Sequence, residues 1–214
     1  MYMHDTIKLI CFDLDDTVTS DNSWRRLNPA LGMTQEEDLM MLGWYEQGII
    51  NYQMWGDLSL AIYKQRGKDT LANIDAALSK YEIREGVKET VCDLQDKGYY
   101  VALISSAVDI YVDKVAKELG IELSESNNIF VFDSNNRLEK IVVYSESGLG
   151  KLRHLESFCR KLGLQISECA CIGDGANDLE MFKATGHGIT FKGSPIEKDA
   201  WQVIEKISDL QSIF

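Results

Sequence analysis

The stretch Lys8-Leu9-Ile10-Cys11-Phe12-Asp13-Leu14-Asp15-Asp16-Thr17 runs an apolar, strand-like segment directly into three clustered carboxylates. Acids crowded at a strand's C-terminal edge repel one another, and a cation among them relieves the repulsion. That edge is also where ligands bind in open α/β sheets. Strand side chains alternate sides, so Asp13 and Asp15 would project the same way if extended geometry continued past Phe12. One carboxylate would be placed to attack a substrate and the other to move protons.

The surrounding chain is long enough for a real core: 214 residues, 45% hydrophobic, with only 2 prolines. This fits one domain, or one domain carrying an insertion. The net charge of -12, from 22 basic against 34 acidic residues, opposes nucleic acid and anionic membrane surfaces. A small phosphorylated substrate remains open, because a bound divalent cation can invert the local field. No signal-like opening or membrane-length apolar run is present, so a cytoplasmic location is expected. The oligomeric state is left open. Cys11, Cys92, Cys159, Cys169 and Cys171 are odd in number and lack zinc spacing, so buried free thiols are expected. His4, His154 and His187 form no cluster and receive no role.

Periodicity divides the rest. Residues 6–13 read as a buried strand, and 18–82 as four helices without strand alternation. Within that segment Thr34-Gln35-Glu36-Glu37 is a capping box that starts a helix near 35. From 84 onward helices and strands alternate: a helix to Gly98, a strand at 100–104, a helix at 107–119, and a hairpin of 127–132 with 138–144. A helix at 149–162, a strand at 169–172, a helix from about 177 and a strand at 187–191 follow. Ser194-Pro195 then reads as the start of another helix. The expected fold class is α/β: a doubly wound parallel sheet, residues 1–17 and 83–214, with a small helical bundle, residues 18–82, inserted over the acidic cluster as a cap.

Three further features fall at expected strand ends or helix starts. Ser105-Ser106 follows the strand Val101-Ala102-Leu103-Ile104, where hydroxyls beside a helix N-terminus suit a phosphoryl oxygen. A helix cap explains such a pair equally well. Lys151 lies early in the helix after Gly148-Leu149-Gly150, although most lysines are simply solvated. Gly173-Asp174-Gly175-Ala176-Asn177-Asp178 follows Ala170-Cys171-Ile172, and its glycines allow a sharp turn that brings Asp174 to the same sheet edge as Asp13.

Taken together, these motifs resemble the haloacid dehalogenase superfamily of phosphatases, in its phosphoserine phosphatase-like branch. Asp13 to Thr17 matches Asp-x-Asp-x-Thr, Ser105 the strand-end serine, Lys151 the lysine, and Gly173 to Asp178 the Gly-Asp-Gly-x-Asn-Asp motif. The resemblance implies a phosphomonoester hydrolase acting on a small phosphorylated metabolite. Asp13 would be the nucleophile, and Asp15 the acid and then the base. Asp13, the Asp15 main-chain carbonyl and Asp174 would hold Mg²⁺. Ser105, Ser106, Lys151 and Asn177 would hold the phosphate, with Asp178, Thr17 and Gly175 in support.

The branch usually clamps the amino acid with a Glu shortly after the first motif and an Arg further along. Here Ser20-Asp21-Asn22-Ser23-Trp24 offers only Asp21, and 54–62 contains no Arg; Arg25, Arg26 and Arg66 are the nearest. The alcohol is therefore left open. Trp24, Tyr45, Trp55 and Tyr63 either line its pocket or fill the cap's core. Transfer of the phosphoryl group to an acceptor alcohol is the alternative to hydrolysis. A P-loop around Lys151 fails because Ser145 stands at the leading glycine and Leu152 at the Ser/Thr position. A receiver-type phospho-acceptor domain fails on the order of its acids.

Overall fold

The computed structural model describes residues 7–214, so His4 and the first six residues of the expected core segment lie outside it. Seven strands form one sheet: β1 (Leu9–Phe12), β2 (Tyr100–Val108), β3 (Leu123–Phe132), β4 (Leu138–Val143), β5 (Cys169–Ile172), β6 (Gly188–Phe191) and β7 (Gln202–Ile204). Their order is β4-β3-β2-β1-β5-β6-β7, and every neighbouring pair is parallel except β3 with β4. The helices described are α1 (Ser23–Ala30), α2 (Gln35–Glu46), α3 (Tyr52–Gln65), α4 (Leu71–Leu78), α5 (Val87–Asp96), α6 (Asp109–Leu119), α7 (Ser147–Leu162), α8 (Leu179–Thr185) and α9 (Leu210–Ile213).

The apolar run that opens the chain explains the layering. β1 is wholly buried, and its alternating side chains enter two separate cores. Leu9 and Cys11 pack with Leu155 and Phe158 of α7 and Met181 of α8. Ile10 and Phe12 pack with Val91 of α5 and Val112 of α6. A strand covered on both faces cannot alternate polar with apolar residues, and this one does not. β1 pairs β2 on one side and β5 on the other, so the strand order reverses at its C-terminal end and opens a crevice there.

Helices α1 to α4 all fall between β1 and β2 in sequence. The predicted capping box is present: Thr34 Oγ1 accepts from the Glu37 amide, and the Glu37 carboxylate accepts from the Thr34 amide. The chain leaves and re-enters the sheet region through adjacent segments, where Thr19 and Ile83 form an antiparallel bridge. Across the crevice, α3 is fastened to β4 through Gln53, which donates to the Ile141 carbonyl and accepts from the Val143 amide.

Several local expectations need correction. β2 does not stop at Ile104 but continues through both serines to Val108, with an irregular register against β3 beyond Ser105. β3 begins at Leu123, because Ser124-Glu125-Ser126 pairs parallel with β2 despite its polar, loop-like composition. Ser194-Pro195 opens no α-helix; Ser194 Oγ accepts from the Ile196 amide, and only one 3₁₀ turn follows. β7 lacked a sequence signal, since it is three residues long at an edge. All five cysteines are free, but Cys92 is exposed rather than buried.

Candidate active site

β1 ends at Phe12, and the backbone then turns instead of staying extended. Leu14–Val18 forms a tight irregular turn, closed by the Thr19 amide on the Leu14 carbonyl, in which Asp16 takes the left-handed conformation, φ 57° and ψ 0°. Asp13 and Asp15 still face one cavity, but a turn brings them there rather than strand alternation. The Asp13 amide donates to the Ile172 carbonyl at 2.9 Å, tying the turn to the end of β5. Arg84, just past the Thr19–Ile83 bridge, donates from Nε to the Thr17 carbonyl at 3.0 Å and from Nη2 to the Asp16 carbonyl at 2.6 Å. A non-glycine residue in the left-handed region is uncommon, and this fork holds it there.

The cavity has a volume of about 520 Å³. Asp13, Asp15, Ser105, Ser106, Asp174, Gly175 and Asn177 all line it. Thr17, Lys151 and Asp178 support those residues: Thr17 Oγ1 donates to Asp174 Oδ1 at 3.1 Å. Lys151 Nζ lies 2.7 Å from Asp13 Oδ1 and 2.7 Å from Asp178 Oδ1, with all three side chains buried. Asp178 Oδ2 accepts from the Gly175 amide at 3.1 Å. Gly173 is required here, because a Cβ would sit 2.3 Å from the Asp178 carboxyl carbon. Gly150 is required likewise, because a Cβ would sit 2.0 Å from Asn127 Oδ1, and this lets α7 start close enough to seat Lys151.

Burial and crowding set the electrostatics. Desolvation pushes Asp13 up to about 8, opposed by Lys151 and reinforced by Asp178 and Asp174. Desolvation also raises Asp15, to about 6, against a hydrogen bond from Ser23 Oγ to its Oδ2 at 2.7 Å. Asp174 is raised by burial and then by Asp178. Burial pulls the Lys151 ammonium down, but Asp13 and Asp178 outweigh it and hold it above its usual range.

Carboxylate oxygens of Asp13, Asp174 and Asp178 lie within 4.8 Å of one another. This donor set fits a hard divalent cation: the ligands are oxygens, and of the three acids only Asp13 and Asp178 are paired to a lysine. Asp178 takes the third place in the cluster, with its two oxygens also accepting from Lys151 and the Gly175 amide; the Asp15 carboxylate is not part of it, and its Oδ2 accepts from Ser23. Its Oδ1 is buried without a hydrogen-bond partner.

Ser23, Arg84, Ser194 and Asn128 were missed from sequence. Ser194 Oγ donates to the Asp174 carbonyl at 2.9 Å, and Asn128 Nδ2 donates to the Ser106 carbonyl at 2.7 Å. The one available signal was Arg84, a cation at the point where the helical segment rejoins the sheet. Trp24, Tyr45 and Trp55 line the cavity, whereas Tyr63 is fully buried with its hydroxyl on Asn28.

Residues 7–186 match the haloacid dehalogenase-like hydrolase model. The chain belongs to that family. Among curated relatives it is similar to the phosphoserine phosphatase of Methanocaldococcus jannaschii, 28% identical over 96% of this chain and 95% of that one. It is also similar to that of Streptococcus thermophilus, 31% identical over 62% of this chain and 66% of that one. Two solved structures superpose with a TM-score of 0.78. One is a phospho-aspartyl intermediate analogue of phosphoserine phosphatase, 25% identical over 97% of this chain and 99% of that chain. The other is a substrate-bound phosphoserine phosphatase complex, 26% identical over 97% and 96%. This haloacid dehalogenase-like hydrolase is thus phosphoserine phosphatase-like, with the family's mostly parallel α/β fold, and by class it is a phosphoric monoester hydrolase. Among the described residues no helix is long and apolar enough to cross a membrane.

Proposed function

We propose that the protein hydrolyses a small phosphorylated metabolite through an aspartyl-phosphate on Asp13, with Mg²⁺ as cofactor. The observation that carries this reading is the arrangement of Asp13 and Asp15 in one cavity. Asp13 is paired to Lys151, while Asp15 keeps a buried, unpartnered Oδ1 and an affinity near 6. An acid poised near neutrality both gives and takes a proton efficiently.

In the first displacement an Asp13 carboxylate oxygen forms a bond to phosphorus as the ester oxygen leaves, and Asp15 supplies the proton to that oxygen. In the second, Asp15 takes a proton from water, whose oxygen attacks phosphorus and restores the Asp13 carboxylate. Lys151 favours the ionised form of Asp13 against the burial that raises its proton affinity, and offsets repulsion between it and the phosphate. Ser105, Ser106 and Asn177 orient the phosphoryl oxygens. Asp13, Asp174 and the Asp15 carbonyl would hold Mg²⁺, which when bound neutralises phosphate charge in the transition state. Asp178 acts through Lys151 and the Gly175 amide.

Residues 18–82 serve as the cap that admits the ester, and residues 1–17 and 83–214 as the catalytic core. Free cysteines agree with a reducing cytoplasm. The test is turnover of phosphate esters with Mg²⁺ by wild type and Asp13→Asn. The variant is expected to fold and be inactive, with fluoroberyllate protecting only wild type; full activity in Asp13→Asn overturns the mechanism. Release of inorganic phosphate in the presence of added alcohol separates hydrolysis from transfer.

A further inference from the structure

Away from the carboxylates, the cavity wall is built largely from Trp24, Tyr45, Tyr52, Trp55, Leu42 and Ile141. Tyr45, Tyr52 and Trp55 pack on one another with ring centroids 5.4–6.1 Å apart, forming one continuous aromatic wall. The polar tips of three of these rings are already engaged. Trp24 Nε1 donates to the Ser106 carbonyl, Tyr45 Oη donates to Glu146, and Tyr52 Oη accepts from Asn128. What these residues present to a ligand is ring surface.

Charge in the same wall is mostly negative. Asp38 and Glu46 line it from α2, and the only cation among the lining residues is Arg25. That side chain is 75% exposed and sits 3.7 Å from Asp16. A leaving alcohol bearing a carboxylate would meet two acids and one solvated, partnered guanidinium. Burying an anion there without a partner is unfavourable.

We propose that the ester's alcohol carries an apolar body that packs on the aromatic wall and bears no anionic group, so that an amino-acid carboxylate is disfavoured. This deepens the phosphatase reading above and rests on it. Trp55 and Tyr52 are its specificity-determining residues.

Two matched pairs of esters test it, with kcat/KM measured in Mg²⁺. Phosphoethanolamine and O-phosphoserine differ by the carboxylate; 2-phenylethyl phosphate and ethyl phosphate differ by the ring. Phosphoethanolamine is expected to exceed O-phosphoserine, and the phenylethyl ester the ethyl ester, each by about tenfold or more. The phenylethyl advantage should collapse in Trp55→Ala through KM and return in Trp55→Phe. Turnover of all four esters with O-phosphoserine equal or ahead, or with no preference for the ring, overturns the pocket assignment alone. Failure to turn over any of the four overturns the phosphatase reading as well.

Discussion

Lys151 Nζ lies 2.7 Å from Asp13 Oδ1, with the lysine wholly buried and Asp13 exposed only where it lines the cavity. A buried charge without its partner is costly, so each of these groups makes the other's ionised form tenable. The lysine is held from behind by Asp178, which also accepts from the Gly175 amide, so Asp13 and the Gly-Asp-Gly turn share one ionic network.

Lys151→Met should therefore remove the cation that favours the ionised form of Asp13, and leave Asp13 and Asp178 facing each other. A kcat lowered by about a hundredfold or more at neutral pH is expected, the scale of losing one charge-stabilising donor in a catalytic site. Steady-state kinetics at saturating Mg²⁺ check this, with a thermal melt alongside. Wild-type kcat in a folded Lys151→Met would remove the lysine from the mechanism.

Ser23→Ala tests the proton shuttle. The Ser23 hydroxyl bonds the ionised form of Asp15 and so lowers its affinity for the proton. Its loss should raise Asp15 further above about 6. In the proposed mechanism Asp15 must be ionised to accept the proton of water, so the acid limb of the pH–rate profile should move to higher pH. A pH titration of kcat from 5 to about 9 reads the shift; an acid limb that stays in place would detach that limb from Asp15.

The sequence was most legible where local and global signals agree. The apolar run into Asp13, the Thr34 capping box and the Gly-Asp-Gly turn after β5 each carry a periodicity or turn chemistry that survives folding. The extension of β2 through Ser105 and Ser106, and the parallel start of β3 at Ser124-Glu125-Ser126, were not legible. Their pairing is supplied by neighbours rather than by β propensity. The same holds for the roles of Ser23 and Ser194. Ser23 reaches Asp15 and Ser194 reaches the Asp174 carbonyl across long or irregular connections, and a lone serine announces nothing about its partner. Asp13 and Asp15 were expected on one side by alternation, and they reach one cavity through a left-handed residue instead.

Without metal, the carboxylate cluster should make stability fall as pH rises. Asp13 and Asp15 ionise near 3.8 when unfolded but near about 8 and about 6 in the folded protein. Between those values the folded state binds more protons than the unfolded one, so its stability is greatest at the low end and declines through the window. Thermal melts in chelator from pH 5.5 to about 8.5 should show this decline, flattened in Asp13→Asn and by added Mg²⁺. A melting temperature that climbs with pH in wild type relative to Asp13→Asn would contradict it.

Arg84 is a positioning residue, since it touches main-chain carbonyls rather than reacting groups. Its fork bonds the Asp16 and Thr17 carbonyls, and its guanidinium lies 4.9 Å from the Phe191 ring centroid. Thr17 in turn donates to Asp174, so the fork fixes both the Asp13–Asp15 turn and one acid of the proposed Mg²⁺ site. A lysine has one compact ammonium and cannot span both carbonyls in the plane that guanidinium does. Arg84→Lys should therefore lower kcat by about tenfold, and Arg84→Met by more, since small misplacements of reacting groups are costly. The Mg²⁺ concentration for half-maximal activity should rise in both, while far-UV circular dichroism stays at wild type. A merely structural tether would lower the melting temperature without moving the Mg²⁺ requirement, and that result would reduce Arg84 to a fastening between the turn after β1 and the sheet.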